Sequence, residues 1–269
     1  METEPTTRNH AALESAGDRK PVSGGGSGVF DLSVVVPVFN EAENIASLMA
    51  EIQASLDGFL HYEIIYVDDG SNDETPERLK EVASNCPLLR VIRHRVTCGQ
   101  STAIMTGVRA ARAPLIATLD GDGQNDPADI PGLWECLRQN SGREGSLLVV
   151  GLRRKRKDTW FKRMCSKIAN AVRSRLLKDD TPDTGSGIKM FSRETFLKLP
   201  YFDHMHRFLP ALVLRSGGRV VSLEVNHRQR KHGKSKYGLH NRLWVGITDM
   251  LGVMWLQRRA KLPIIEKER

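Results

Sequence analysis

The chain has 269 residues, of which 40% are hydrophobic and 27% charged. This composition supports a sizeable buried core and excludes a wholly disordered chain, and no apolar run reaches the ~20 residues that a membrane-spanning helix needs. Forty Lys and Arg against 32 Asp and Glu give a formal net charge of +8, which indicates an anionic partner: nucleic acid, a phosphorylated ligand or an anionic membrane surface.

The first 29 residues lack a hydrophobic period and contain a Gly-Ser cluster from Ser23 to Gly28. They are predicted to be a flexible leader outside the fold, without the basic start and apolar middle of a signal peptide. The four Cys residues are scattered and form no C-x-x-C pair. This arrangement favours a reducing cytoplasm over a secreted disulfide scaffold or a structural zinc site.

From Leu32 onward, short apolar runs alternate with amphipathic stretches. The predicted strands are Leu32–Val38, Tyr62–Val67, Leu88–Arg93, Leu115–Leu119 and Leu147–Val150. The predicted helices are Glu41–Leu56 and stretches near Glu74–Ala83, Ser101–Ala111 and Pro127–Leu137. This alternation predicts an α/β fold with a mostly parallel sheet and helices on both faces. Ligands of such sheets bind at the carboxyl ends of the strands.

Acidic side chains follow three of the predicted strands. Asn40 and Glu41 follow the first strand, Asp68 and Asp69 the second, and the segment DGDGQ beginning at Asp120 the fourth. Massed carboxylates repel each other unless a cation or hydrogen-bond donors lie among them. We therefore expect a ligand site at this edge of the sheet.

The spacing Asp120-x-Asp122-x-Gln124 favours a hard divalent cation. Alternate residues at a strand end point the same way, so Asp122 and Gln124 can offer oxygens to one ion. Oxygen ligation by few protein groups is typical of Mg²⁺ or Mn²⁺ shared with substrate phosphates. The alternative is an Asp/Gly-rich turn closed by Pro127, and the other two acidic strand ends favour the metal and a nucleotide.

The remaining polar strand ends have structural alternatives. Asp68 and Asp69 can accept hydrogen bonds from a nucleobase or a ribose, or they can serve as helix caps. Asn40 and Glu41 can equally mark only the start of a helix. Gly99 can be no more than permissive backbone before the next helix.

The segments PVFNE, VDDGSND, CGQSTAIMTG and LDGDGQNDP, in this order, resemble the family 2 glycosyltransferases, which have the GT-A fold and use nucleotide sugars. The last segment, with Gln124 two residues after Asp122, resembles the branch that glycosylates dolichyl or other polyprenyl phosphates, such as the dolichol-phosphate mannosyltransferases. The resemblance extends from about Leu32 to about Leu256.

The resemblance implies roles for most of these residues. Asp120, Asp122 and Gln124 would hold the metal and the diphosphate, with Mg²⁺ or Mn²⁺ as the cofactor. The nucleotide-sugar donor would be bound by the other strand-end residues and by the loop after the third strand: Pro37, Asn40, Glu41, Asp68, Asp69, Gly99 and Gln100, together with Asp120 and Asp122.

The second half of the chain is basic. The resemblance implies that Arg153, after the fifth strand, and Arg163 contact donor or acceptor phosphates, although a charge run is often only a solvated face. Asp183 begins a D-T-G segment, before a predicted strand Ile188–Phe191, that the resemblance places near the acceptor. Its alternative is a simple turn.

Arg230 and Lys236 belong to the pattern R-x-x-G-x-S-K. A Gly-bearing loop with Arg and Lys can fold over phosphates, because Arg offers a bidentate fork and Lys a point charge. The resemblance implies that this pair binds the acceptor phosphate. A nucleic-acid-binding patch is the alternative, but the interleaved Gly and Ser favour a hinged loop.

The apolar stretch Leu243–Leu256 is too short to span a bilayer. Its apolar residues can share one helical face, with Arg258, Arg259 and Lys261 beyond it: Leu243, Ile247, Met250, Leu251, Met254 and Trp255. Such a helix can lie on an anionic membrane surface or dock on the core, and the sequence leaves both open.

We therefore expect an inverting, metal-dependent hexosyltransferase that uses GDP-mannose or a UDP-sugar and a polyprenyl phosphate at the cytoplasmic membrane face. The predicted organisation is a leader (1–29), a GT-A domain (30–239) and an amphipathic C-terminal helix and tail (240–269). The alternatives are a family 2 enzyme with a saccharide acceptor, for which Asp183 would be the base, and a basic nucleic-acid-binding module. A homo-oligomer is compatible with these features, which do not specify an oligomeric state.

Overall fold

The computed structural model describes residues 30–141, 145–153, 173–177, 179, 181–229 and 239–261, with side chains in the last range described from residue 246. The described strands form one seven-stranded sheet in the order β3-β2-β1-β4-β6-β5-β7. Their bounds are β1 Leu32–Val38, β2 Tyr62–Asp68, β3 Leu89–Arg93, β4 Leu115–Thr118, β5 Leu147–Arg153, β6 Lys189–Ser192 and β7 Arg219–Val225.

The helices that connect these strands cover both faces of the sheet. They are α1 Ile45–Leu56, α2 Thr75–Ser84, α3 Gln100–Ala110, α4 Ile130–Asn140, α5 Arg193–Lys198, α6 Leu209–Arg215 and α7 Leu239–Arg258. Short 3-10 helices are Ala42–Asn44, Pro127–Asp129 and Met205–Arg207, and residues 173–177 are also helical.

The first half of the chain folds as the apolar runs predict. β1 and β2 are buried along their whole lengths and pair in parallel. Alternate residues of β1 enter different cores: Val34 and Val36 pack against α1, α2 and α4, whereas Val35 packs with α3 and the C-terminal helices. A strand enclosed on both faces must be apolar at every position, which is why the sequence reads as a continuous apolar run.

The second half departs from the simple parallel pattern. β6 is inserted between β4 and β5 and runs antiparallel to both, with Lys189 opposite Thr118 and opposite Val150. It begins one residue later than predicted, and β5 continues to Arg153, which is therefore the last residue of the strand instead of lying beyond it. Strand β7 and helices α5 and α6 were not predicted, because their short apolar runs show no clear period.

Helix α7 corrects the prediction of a single apolar face. Met250, Val253 and Met254 pack into the core formed with α3, α5 and α6. Ile247, Leu251 and Trp255 lie on another side and are 37%, 58% and 59% exposed. The helix thus docks on the core and also presents an apolar strip to solvent, because its apolar residues cover more than one face.

Two hydrogen bonds connect α7 to the rest of the chain. Arg215 Nε donates to the Leu256 carbonyl oxygen at 2.9 Å, and Gln257 Nε2 donates to the Leu177 carbonyl oxygen at 2.7 Å. Within the described part of the chain, we find no helix with the length and apolar character that crossing a bilayer requires.

Candidate active site

The three acidic strand ends meet at one edge of the sheet. β2, β1 and β4 are consecutive neighbours and run parallel, so the loops that follow them are adjacent. The sequence predicted this convergence from the carboxyl-end rule. The structure therefore brings Asn40, Glu41, Asp68, Asp69 and Asp120 to the same side of the molecule.

The loops after β1 and β2 are joined by reciprocal hydrogen bonds. Asn40, whose φ is 53°, donates from Nδ2 to Asn72 Oδ1 at 2.7 Å and accepts from the Asn72 backbone N–H at 2.9 Å. Its own N–H donates to Ser71 Oγ, and the Glu41 N–H donates to Thr75 Oγ1, each at 2.9 Å. Asn40 therefore shapes the site by connecting two loops.

Asp68 is fully buried at the end of β2. Its Oδ1 accepts the Ser71 N–H at 2.9 Å, and its Oδ2 lies 3.2 Å from Arg93 Nε without hydrogen-bond geometry. Pro37 lies opposite Val67 in the neighbouring strand, so Asp68 and Pro37 border the same loops.

Asp69 organises the loop after β3. Its carboxylate accepts four hydrogen bonds of 2.7–2.9 Å, from the His94 ring, the Thr97 hydroxyl and the N–H groups of Cys98 and Gly99. Burial alone would raise the pKa of Asp69, but these hydrogen bonds outweigh burial and lower it. Both oxygens thus hold the loop after β3, and Oδ2 accepts the N–H of Gly99, whose φ of 88° suits glycine.

Asp120 follows β4 and is held by two hydrogen bonds. Its Oδ1 accepts from Gln100 Nε2 at 2.8 Å, and its backbone N–H donates to Asn125 Oδ1 at 2.9 Å. Desolvation, followed by repulsion from Asp122, raises the pKa of Asp120 to about 6. Gln100, predicted near the nucleotide, therefore orients the Asp120 carboxylate.

The Asp120–Gln124 loop fits a hard divalent cation. Asp122 Oδ1 accepts the Gln124 N–H at 3.1 Å, which folds the loop so that two carboxylates and a carboxamide share one short turn. The negative charges of Asp120 and Asp122 repel each other, and a divalent cation bound between them would relieve this repulsion. Oxygen donors of this kind suit Mg²⁺ or Mn²⁺.

Arg153 and Asp183 form a bidentate ion pair. Arg153 Nε and Nη2 donate to Asp183 Oδ2 and Oδ1 at 2.6 and 2.8 Å, with only 13% and 10% of the two side chains exposed. From the sequence, each residue was assigned a role, but no pairing between them was predicted. The end of β5 packs next to the 183–188 segment, where the Arg153 charge acts on the Asp120 carboxyl and Gly187 lies against it.

Two polar groups of this region were missed from the sequence. Lys189 is 4% exposed in β6, and His206 shares a 2.7 Å hydrogen bond with Ser101 Oγ at the start of α3. Desolvation, with help from the Lys189 charge, lowers the pKa of His206 to about 3. A lysine within the apolar run Ile188–Phe191 was the available signal for Lys189.

Some predicted residues lie outside the described ranges: the leader 1–29, Arg163, Arg230 and Lys236. The chain just before Arg230 is described and lies beside the candidate metal loop. There the Arg228 N–H donates to the Gln124 carbonyl oxygen at 3.0 Å, and the Arg228 guanidinium contacts Glu51 and Asp126 at 2.5 Å.

A family model described as "Glycosyl transferase family 2" matches residues 33–199. The chain is 37% identical over 238 residues to the dodecaprenyl-phosphate galacturonate synthase of Rhizobium johnstonii, covering 87% of this chain and 69% of that protein. It is 35% identical over 211 residues to the undecaprenyl-phosphate 4-deoxy-4-formamido-L-arabinose transferase of Aeromonas hydrophila, covering 77% of this chain and 63% of that protein. The chain thus spans about two thirds of the length of these relatives.

Solved structures with the same fold include the glucosyl-3-phosphoglycerate synthase of Mycobacterium tuberculosis in complex with Mn²⁺, UDP-glucose and phosphoglyceric acid. The TM-score is 0.62 at 20% identity, over 85% of this chain and 79% of that one. The same enzyme is also known with Mg²⁺ and UDP, with a TM-score of 0.58 at 20% identity over 87% of this chain and 81% of that one. This likeness shows the GT-A fold that the sequence predicts.

Proposed function

The chain belongs to glycosyl transferase family 2, and from that premise we propose that it transfers a sugar from a nucleotide sugar to a polyprenyl phosphate, inverting the anomeric configuration. The observation that carries the proposal is the identity of 37% and 35% with two relatives named for dodecaprenyl- and undecaprenyl-phosphate. The acidic edge of the sheet supplies the chemistry that such a reaction needs. The proposed donor is GDP-mannose or a UDP-sugar.

The donor is proposed to bind over β2, β1 and β4. Asp68 and Asp69 follow β2, Pro37, Asn40 and Glu41 follow or end β1, and Gly99 and Gln100 open α3. Asp69 acts here mainly through the Gly99 loop, since its oxygens already accept four hydrogen bonds. The nucleoside would therefore rest on surfaces that Asn40 and Asp69 hold in place.

Asp120, Asp122 and Gln124 are proposed to hold Mg²⁺ or Mn²⁺ with the donor diphosphate. When bound, the ion would neutralise the departing nucleoside diphosphate. Gln100 keeps the Asp120 carboxylate oriented, through the hydrogen bond from its Nε2. The Gln124 N–H fixes Asp122 in the same way.

The acceptor phosphate needs no base from the protein. A phosphate monoester has a second pKa of ~6, so it is largely ionised at neutral pH and can attack the anomeric carbon directly. Arg153 is proposed to attract this phosphate and Asp183 to orient Arg153, with Arg163, Arg230 and Lys236 as further cations. For a saccharide acceptor Asp183 would have to serve as the base, and its pairing with Arg153 disfavours that alternative.

We also propose that 30–239 is the catalytic unit and that α7 carries the molecule onto the cytoplasmic membrane surface. The exposed strip formed by Ile247, Leu251 and Trp255 faces away from the core. The Arg259 guanidinium lies 5.9 Å from the Trp255 ring centroid, and Arg258 precedes it. Exposed apolar side chains beside cations suit an anionic bilayer interface.

The transfer proposal is tested with purified protein, Mn²⁺, a panel of nucleotide sugars and a polyprenyl phosphate, with mass spectrometry of the product. The expected product is one sugar joined to the lipid phosphate. The same panel with a saccharide acceptor provides the comparison. Transfer to the saccharide alone would reject the lipid phosphate as acceptor.

The membrane proposal is tested by vesicle sedimentation of Leu251→Glu combined with Trp255→Glu. Each buried apolar side chain is worth ~1.5–3 kcal/mol, so binding to anionic vesicles should fall roughly tenfold or more. Val91→Glu combined with Val96→Glu, at two exposed positions on and just after the edge strand β3, makes the same charge change elsewhere and should bind like the wild type. Unchanged binding of the double variant would assign the strip no membrane role.

A further inference from the structure

Lys189 occupies an unusual place for a lysine. It begins β6, between the carboxyl ends of β4 and β5, where it lies opposite both Thr118 and Val150. Only 4% of the residue is exposed. An ammonium group is normally kept in water, because its desolvation costs several kcal/mol. A buried lysine in an interior strand of the sheet therefore needs counter-charges nearby.

The neighbours of Lys189 are parts of the candidate active site. Its Nζ donates to the Ser186 carbonyl oxygen. Gly187 lies against the Asp120 carboxylate so closely that a Cβ there would be 2.1 Å from Asp120 Oδ2. Thr118 Oγ1, just before Asp120, donates to the Gly187 carbonyl oxygen at 2.8 Å. The segment that carries Lys189 is thus packed directly against Asp120.

The buried position of Lys189 is explained by the charges of its neighbours and not by packing. Burial lowers the pKa of Lys189 to about 8, whereas the charges of Asp120 and then Asp183 favour the ammonium form. The charges of Lys189 and Arg153 act on the Asp120 carboxylate, Arg153 is paired with Asp183, and Asp122 adds a further negative charge beside Asp120. Replacing the ammonium by a neutral group would make this cluster more negative by one charge.

We propose that Lys189 is a positioning residue whose positive charge makes this cluster less negative, so that a divalent cation binds tightly only together with the donor diphosphate. Without the ammonium the cluster would carry one more negative charge and would attract a divalent cation more strongly by itself. With the ammonium, the oxygens and charge of the diphosphate must complete the site. This inference rests on the proposed function, because it assumes a metal and a nucleotide donor.

The test is calorimetric titration with Mn²⁺, with and without nucleoside diphosphate. Wild-type protein should bind Mn²⁺ at least roughly tenfold more tightly with GDP or UDP present than alone. Lys189→Gln, which can still donate to Ser186, should bind Mn²⁺ alone at least roughly tenfold more tightly than wild type and should bind the nucleotide alone more weakly. Equal wild-type affinities in both conditions would overturn the proposal.

Two further variants separate charge from packing. Lys189→Arg keeps the positive charge and should restore weak binding of Mn²⁺ alone. Lys198→Met removes an exposed lysine, 73% of whose side chain is accessible, and should leave all affinities unchanged. If Lys189→Gln does not fold, Lys189→Met takes its place. The comparison of wild-type Mn²⁺ affinity with and without nucleoside diphosphate does not depend on either variant.

The outcomes distinguish this inference from the proposed function. Mn²⁺ binding requires neither transfer nor a lipid, so failure of transfer with every acceptor would reject the proposed function while the titrations still decide the role of Lys189. A Lys189→Gln protein that binds Mn²⁺ alone as wild type does, or more weakly, would overturn the inference even in an active enzyme. Wild-type protein that binds no Mn²⁺ in either condition would overturn it as well.

Discussion

Asp183→Asn tests whether Asp183 orients Arg153 or acts on its own. The substitution keeps the shape of the side chain but removes its charge, and it leaves at most one good acceptor for the two guanidinium donors now at 2.6 and 2.8 Å. Since 13% or less of each side chain is exposed, water can replace little of what is lost. The arginine should therefore lose its fixed orientation.

The size of the effect follows from the burial of the pair. Removing one partner of a buried ion pair costs ~3–5 kcal/mol. At ~2–4 °C per kcal/mol for a chain of this size, the melting temperature should fall by roughly 6–20 °C. One charge-assisted hydrogen bond is worth ~1.5–3 kcal/mol, so kcat/KM for the proposed transfer should fall roughly ten- to a hundredfold.

The assay is a double-mutant cycle of Asp183→Asn and Arg153→Ala, measured as kcat/KM at varied polyprenyl phosphate. If the two residues act as a unit, the double variant should be no worse than Arg153→Ala alone. Multiplying losses would refute the orienting role and restore Asp183 as an independent base.

Glu63→Gln is the matched control for this cycle. Glu63 is buried near the start of β2 and accepts from Arg90 Nη1 at 3.0 Å and from Ser33 Oγ at 2.7 Å, at the end of the strand away from the site. The Glu63→Gln protein should be less stable than the wild type while retaining its kcat/KM. A comparable loss of kcat/KM in this control would mean that the Asp183 effect reports only general destabilisation.

Three further predictions concern the metal, the Gly99 loop and the acceptor. Asp122→Asn, or excess EDTA with wild type, should remove most transfer with the circular dichroism spectrum unchanged; full turnover in either case would reject the metal role. Hydrogen bonds hold the pKa of Asp69 below its usual value of 3.8, so its contribution to stability is present above that pH and is lost as pH falls through the lower, folded-state pKa. Asp69→Asn should therefore lower the melting temperature at pH 7 and flatten its decline between pH 5 and 3; a parallel decline would contradict this. Lys236→Ala and Arg230→Ala should weaken transfer ten- to a hundredfold, at ~1.5–3 kcal/mol per charge-assisted bond, with nucleotide affinity nearly unchanged; loss of nucleotide affinity would place that loop on the donor.

The sequence by itself determined the parallel half of the sheet and its acidic edge. The continuous apolar run Leu32–Val38 is typical of a strand enclosed on both faces, and it was predicted with the bounds observed. The polar residues that follow β1, β2 and β4 were predicted to share one edge because parallel strands of one sheet end there, and the observed strand order places the three strands side by side. Local periodicity and the carboxyl-end rule are sufficient for such features, since both depend on short stretches of chain.

Only the tertiary structure decided which polar groups are partners. The pairing of Arg153 with Asp183, the burial of Lys189 beside Asp120 and the four donors to Asp69 all join residues separated by 25 or more positions. Local sequence likewise could not predict the antiparallel insertion of β6, or the division of the α7 apolar residues between core and solvent. These features depend on which surfaces come into contact after the sheet has formed. The periodicity of the sequence carries no information about those contacts.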